Sequence, residues 1–353
     1  MAAPSVALAL QGGGSHGAFT WGVLDRILLE VEAGRLKIAA ISGASAGAIN
    51  ATLVAAGLAE GGPASARMRL SEFWHALAAT GARLGNGLFG FAEPGPLGGF
   101  NIDWSPGAIF LEAAGLVVSP YTNPFYSDTL APLLEQVLPP ERLARLNGRA
   151  GPRLFLSADN VADDSRKLFS HPEVTFDALR ASACLPTEFR AVHIDGAPYW
   201  DGGYLGNPAL TPLLDMADDL LLVMVNPLQR ADMPPRNARA ILNRLNEVTF
   251  NASVVLELNA IAGINRLLQE LRDAGIDYHG TYKTVNVHLI RDDAYLAQLG
   301  FVSKTSTSLP FLLALHDEGV KAASRFFTAH CDKIGACSSA DIKTELTGPM
   351  LKG

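Results

Sequence analysis

The sequence predicts an α/β fold, a three-layer sandwich with a largely parallel central sheet and a C-terminal helical extension. Three observations carry this expectation. Short apolar runs recur along the chain, several are apolar on both faces, and stretches of helical spacing separate them. Strands covered by helices on both sides lose the polar face of a half-exposed strand and read as continuous apolar runs. Their alternation with helices is the pattern of a parallel sheet.

In chain order, the strand candidates are Ser5–Leu10, Lys37–Ile41, Leu154–Ala158, Lys167–Ser170, Leu220–Val225 and Val285–Ile290. Helical spacing marks Ala18–Val31, Ala46–Leu58, Ser71–Leu77 and Asp128–Leu138. Gly81–Trp104 breaks the pattern: it is rich in glycine and proline, poor in charge, and carries apolar side chains such as Phe89, Phe91 and Phe100. A loop packed by its own side chains and a flap over an apolar site both fit that composition. After Pro234-Pro235, apolar residues from 241 to 271 recur at steps of mostly three and four. They predict one long amphipathic helix over Asn237–Arg272, or two in tandem. Packing on the core, a dimer seam and a membrane-facing surface are the three uses open to it. The expected organisation is a core over 1–226 and a mostly helical extension over 227–353, with one returning strand at 285–290 packed on the same domain. The tail after Ile334 is small and polar, as poorly ordered termini are.

Composition excludes several function classes. A net charge of -7 with no basic stripe argues against nucleic acid as a partner. Cys184, Cys331 and Cys337 lack metal-ligand spacing and read as reduced thiols. No basic segment precedes the apolar run at Ser5–Leu10, and no run approaches the roughly 20 residues of a membrane span. The expectation is a soluble, cytoplasmic protein, with peripheral membrane contact and oligomeric state left open.

Gly43-Ala44-Ser45-Ala46-Gly47 matches the G-x-S-x-G nucleophile elbow. The pattern alone is weak, but a strand leads into it and a helix leads out, as the elbow requires. Glycine at 43 and 47 leaves room for a strained turn, and the helix N-terminus favours negative charge near Ser45. Gly12-Gly13-Gly14-Ser15-His16-Gly17 follows the first strand. A phosphate loop would need a Gly-Lys-Ser/Thr ending that is missing here. A plain tight turn competes with an oxyanion hole, in which backbone N–H groups, joined by that of Ala46, hold a negative oxygen. Asp201-Gly202-Gly203 follows a strand-like stretch and, alone, marks a turn. No histidine stands in the setting of a triad base: His193 lies in a strand, His16 in the glycine loop, and His316 and His330 on a helical pattern. Asp201 is therefore the candidate to activate Ser45.

Together the three motifs resemble the patatin-like phospholipase family. Ile41-Ser42-Gly43-Ala44-Ser45-Ala46-Gly47-Ala48-Ile49-Asn50 is similar to its elbow throughout. Ala181-Ser182-Ala183-Cys184-Leu185-Pro186, then Asp201-Gly202-Gly203 and Asn207-Pro208, is similar to the surroundings of its aspartate. The resemblance runs from about Val6 to Val225. It implies a serine acyl-hydrolase acting on lipid or other acyl esters without metal or organic cofactor. Ser45 would be the nucleophile, Asp201 the base, and Gly12, Gly13 and Gly14 the oxyanion loop. An acyltransferase and a non-catalytic lipid-binding protein of the same fold are the alternatives. One position departs. The family places Arg or Lys two residues after the third glycine, where this chain has His16, a residue that titrates near neutrality.

Overall fold

A computed structural model describes residues 3–83, 100–103, 105, 118–147, 151–230 and 234–347. Most of the glycine-rich stretch at 81–104 lies outside these, so its reading as loop or flap falls on residues not described.

The expected parallel sheet is present. β1 (Ser5–Leu10), β2 (Lys37–Gly43), β3 (Arg153–Asn160), β7 (Asp219–Val223) and β8 (Asn286–Ile290) run parallel. β4 (Ser165–Ser170), β5 (Val192–Ile194) and β6 (Ala197–Asp201) join antiparallel at one side. The order across the sheet is β5-β6-β3-β2-β1-β7-β8, with β4 also paired to β3. β1 and β7 are almost wholly buried, which is why their sequences carry no polar alternation.

Helices cover both faces. On one, α1 (Gly17–Glu32), α2 (Ala46–Arg83) and α8 (Leu309–His330) bury Phe19, Leu24, Leu53, Trp74 and Phe311. Burying a side chain of that size is worth about 1.5–3 kcal/mol. Gly22 and Gly319 let α1 and α8 touch: a Cβ at Gly22 would stand 1.9 Å from the His316 carbonyl oxygen. α2 absorbs the two stretches read separately as 46–58 and 71–77. Its axis breaks at Gly61–Gly62, where Gly62 has φ 79°, and the chain folds back so that Gly57 lies against Ala66. α3 (Leu130–Val137), α4 (Pro140–Asn147) and α5 (Phe176–Ser182) follow on the same side of the core.

The other face is covered mainly by α6 (Ala238–Asp273), a single unbroken helix that the Asn237 side chain caps by accepting from the Ala240 N–H. Its inward residues differ from the sequence stripe in the first turns. Ile241, Leu245 and Val248 are exposed, while Glu247, Phe250 and Asn251 face inward. The inner surface there is polar, as shown below, so a strictly apolar stripe would not match it. Beyond Val254 the stripe turns inward at Leu258 and Ile261. The remaining short helices are α7 (Asp293–Leu296) and α9 (Ile342–Thr347).

The chain after Ile334 departs from its expected disorder. The Gly335 N–H donates to Asp219, the Val287 N–H donates to Ser338, and Ile342 is buried. His288, fully buried, bridges Asp219 at 3.0 Å and Ser339 at 2.9 Å. These bonds, with that of the Ala340 N–H to the Val287 carbonyl, fasten the segment to β7 and β8 as far as Ala340. Among the described residues no helix is long and apolar enough to cross a membrane.

Candidate active site

Ser45 sits between the end of β2 and the first turn of α2 with φ 55°, one of three non-glycine residues with positive φ among those described. Such a conformation costs about 1–3 kcal/mol and persists only where its surroundings enforce it. They do so here. The Ser45 N–H donates to the Ser182 carbonyl at 2.9 Å, and those of Gly47 and Ala48 return to Ala44. A Cβ at Gly43 would stand 2.5 Å from the Gly47 carbonyl oxygen, and one at Gly47 only 2.1 Å from that of Leu10. The elbow therefore requires glycine at both positions. Ala46 opens α2, so the positive end of the helix dipole lies beside the serine.

Asp201 is the last residue of β6, fully buried, with its own N–H donated to the Cys184 carbonyl at 2.8 Å. The Gly203 N–H donates to its Oδ1 at 2.8 Å. Gly202 packs against the Ser157 carbonyl, where a Cβ would come within 2.1 Å. Burial pushes the Asp201 carboxyl up to about 7; the nearby Ser45 hydroxyl and the Gly203 N–H offset part of the rise. Oδ2 of Asp201 is buried with no hydrogen-bond partner among the described residues. A carboxylate in that state is a far better proton acceptor than one in water, where its pKa is about 3.9.

Asp159, on the neighbouring strand β3 where it pairs with Trp200, adds to the effect. Its carboxyl is also raised by burial to about 7, and its charge raises that of Asp201. It accepts the Leu205 N–H at 3.1 Å, fixing the turn that follows Gly203.

The glycine loop is held from beneath by an amide network that the sequence reading did not find. Gln11 accepts the N–H groups of Val225 and Asn226, both at 2.9 Å, and donates to Asn251 at 2.8 Å. Asn207 Oδ1 accepts the Gly12 N–H at 2.7 Å, and Asn226 Nδ2 donates to the Gly12 carbonyl at 3.2 Å. The Gly12 N–H is thus committed to the scaffold, which sets it apart from Gly13, Gly14 and Ala46 as an oxyanion donor. Gly12 has a steric role instead, since a Cβ there would stand 2.6 Å from the Ser45 Cβ. Gly14, at φ 58°, is closed on its other side by the Lys304 carbonyl. Asn207 alone among these residues was singled out in the sequence; polar residues flanking strand ends carry no periodic signal.

His16 is buried, its Nε2 2.8 Å from the Ser303 hydroxyl. Burial, with Lys304 close by, lowers its pKa to about 3, so the ring is neutral at physiological pH. His193 lies on β5, as expected, and His316 bonds Asp25 of α1 at 3.0 Å.

A cavity of about 230 Å³ opens beside Ser45. Gly14 and Ala46 line it beside the serine, Ile49, Phe73, Trp74, Leu77, Leu133 and Phe189 give it an apolar wall, and Lys304, Glu188 and several threonines are also among its lining residues. No histidine is among the described residues that line it. The Trp74 N–H is spent on Asn50 Oδ1 at 3.1 Å, and Asn50 donates to the Gly17 carbonyl at 2.9 Å. Trp74 is thereby tied, through Asn50, to the end of the glycine loop. Cys184 is buried, its thiol pushed up to about 12 by burial, and Cys331 and Cys337 are free and exposed. Among the described residues no group of three or more His, Cys, Asp or Glu is placed to hold a metal ion.

A family model described as Patatin-like phospholipase matches residues 8–214, more than half of the chain. Among solved structures the chain is similar to VipD from Legionella pneumophila, at 15% sequence identity and a TM-score of 0.38, over 92% of this chain and 67% of that one. No curated protein matches the sequence.

Proposed function

We propose, for a chain that belongs to the patatin-like phospholipase family, that it hydrolyses acyl esters of lipids through Ser45 and Asp201. The observation that carries this reading is the buried, unpartnered Oδ2 of Asp201 beside a serine held at positive φ. A carboxylate raised to about 7 is matched to proton transfer near neutral pH.

In the first step Asp201 takes the Ser45 proton while Oγ attacks the ester carbonyl. The carbonyl oxygen becomes an oxyanion, held by the N–H groups of Gly13, Gly14 and Ala46 at the positive end of α2. One such donor is typically worth about 10²–10³ in turnover. The Asp201 proton then passes to the leaving alcohol, and the acyl group remains on Ser45. Water, deprotonated by the same carboxylate, attacks the acyl-enzyme; the proton passes to Ser45 Oγ as its bond to the acyl carbon breaks, releasing the fatty acid and restoring both residues. The apolar cavity takes the acyl chain, and the exposed end of the site is left to the alcohol part of the lipid.

Purified Ser45→Ala and Asp201→Asn proteins assayed on a short nitrophenyl ester and on phospholipid vesicles test the reading. Both variants should lose activity on both substrates. Full activity in either one excludes the dyad. Wild-type activity on the vesicles without activity on the soluble ester would move the substrate requirement away from simple esters.

A further inference from the structure

Residues 301–305 form a 3-10 turn that crosses the glycine loop far along the chain from it. Lys304 is its contact residue: a Cβ on Gly14 would lie 2.4 Å from the Lys304 carbonyl oxygen and 3.4 Å from its Cβ. The Lys304 ammonium donates to Asn226 Oδ1 at 2.7 Å and to Asn246 Oδ1 at 2.6 Å. It also lies 5.2 Å from the centre of the Phe250 ring and 5.9 Å from that of Phe301. Both hydrogen-bond partners are neutral amides, so the charge is not cancelled by a direct ion pair. Asn226 is the residue that donates to the Gly12 carbonyl. One amide therefore links the ammonium to the loop.

The neighbouring charges reinforce this. Glu247 on α6 is the carboxylate that acts on Lys304, but it is engaged by Arg230 at 2.9 Å and Arg244 at 3.0 Å. Asp103 accepts the Val302 N–H and the Asn243 amide, and its backbone carbonyl accepts Arg239. His16, bonded to the adjacent Ser303, is neutral. Lys304 is thus a cation beside a loop whose own sequence supplies none.

We infer that Lys304 is a positioning residue for acyl transfer: through Asn226 it holds the glycine loop, and it places beside that loop the positive charge that His16 does not provide. The inference rests on the Ser45–Asp201 reading. A charge there favours the oxyanion over the neutral ester, so its effect falls on kcat more than on KM. Burial has lowered the Lys304 pKa to about 8, and the charge is lost as pH rises past that value.

The test is a pH profile of wild type, Lys304→Met and Lys304→Arg on one soluble ester, with Ser45→Ala as the control. Lys304→Met should lower kcat about 10- to 100-fold, with KM within about two-fold. The wild type should lose kcat on an alkaline limb near 8. That limb should be absent in Lys304→Met and displaced upward in Lys304→Arg, which should keep most of the activity. Wild-type kcat in Lys304→Met, or an alkaline limb unchanged by Lys304→Arg, overturns the inference; the arginine arm decides if the methionine variant fails to fold. Activity surviving in Ser45→Ala would instead remove the dyad reading beneath it.

Discussion

The N–H of Asp201 donates to the carbonyl of Cys184 at 2.8 Å. Two residues before that cysteine, the Ser182 carbonyl receives the N–H of Ser45 at 2.9 Å. One short segment, Ser182–Cys184, thus sets the distance between a serine and a carboxylate that are far apart in sequence. The segment has no polar side-chain role in this; its carbonyls do the positioning. The positions of the two reacting groups are therefore both tied to the end of α5.

Acid dependence follows from the raised Asp201 carboxyl. The base must be ionised, so kcat/KM should rise with pH through a limb near 7. Asp159 raises that limb by its charge. Asp159→Asn keeps an acceptor for the Leu205 N–H and should move the limb to lower pH. A pH-rate profile checks this, and an unmoved limb would mean that Asp159 does not act on Asp201.

Stability should run against catalysis at the same residue. Folding holds the Asp201 carboxyl protonated up to about 7, well above its unfolded value. The folded state then binds more protons between the two values, and stability contributed by the neutral carboxyl is lost as pH rises through 7. Asp201→Asn removes this cost, so thermal unfolding at pH 8 should occur a few degrees above wild type. The difference should shrink toward pH 4. A variant destabilised at pH 8 would show that the amide cannot replace the buried carboxyl.

Much of this arrangement was legible in the sequence, for specific reasons. The elbow, the glycine loop and Asp201-Gly202-Gly203 are visible because each needs glycine where a Cβ would collide, as at Gly47 and Gly202. The buried strands β1 and β7 are visible because burial on both faces removes polar residues. The amide network of Gln11, Asn226 and Asn251, and Lys304 beside it, left no such trace. Their bonds join residues more than 200 positions apart, or lie on a helix whose polar inner face hides among apolar neighbours. The Gly12 N–H was read as an oxyanion donor because backbone direction is not written in a run of glycines.

Gly202→Ala should be among the most damaging conservative changes. Its Cβ would press on the Ser157 carbonyl, part of a paired strand that cannot yield. Overpacking against backbone should cost about 3 kcal/mol or more. Denaturant unfolding measures the loss, and a change below 1 kcal/mol, roughly the error of such a comparison, would contradict the placement of the turn.

Acyl selectivity should follow the cavity wall. Leu133→Trp or Ile49→Phe fills part of the roughly 230 Å³ beside Ser45. Either should shift the preferred nitrophenyl ester to a shorter chain while leaving acetate hydrolysis within about three-fold, since a few methylenes in an apolar pocket are what is lost. An equal loss for acetate and long chains would place the acyl chain elsewhere.

The most direct measurement is reaction with a fluorophosphonate probe, followed by intact-mass and peptide analysis. A single adduct on Ser45, absent in Ser45→Ala and formed far more slowly in Asp201→Asn, is the predicted result. No adduct in the folded protein, or an adduct on Ser45 at an undiminished rate in Asp201→Asn, would contradict the proposal that Asp201 activates Ser45.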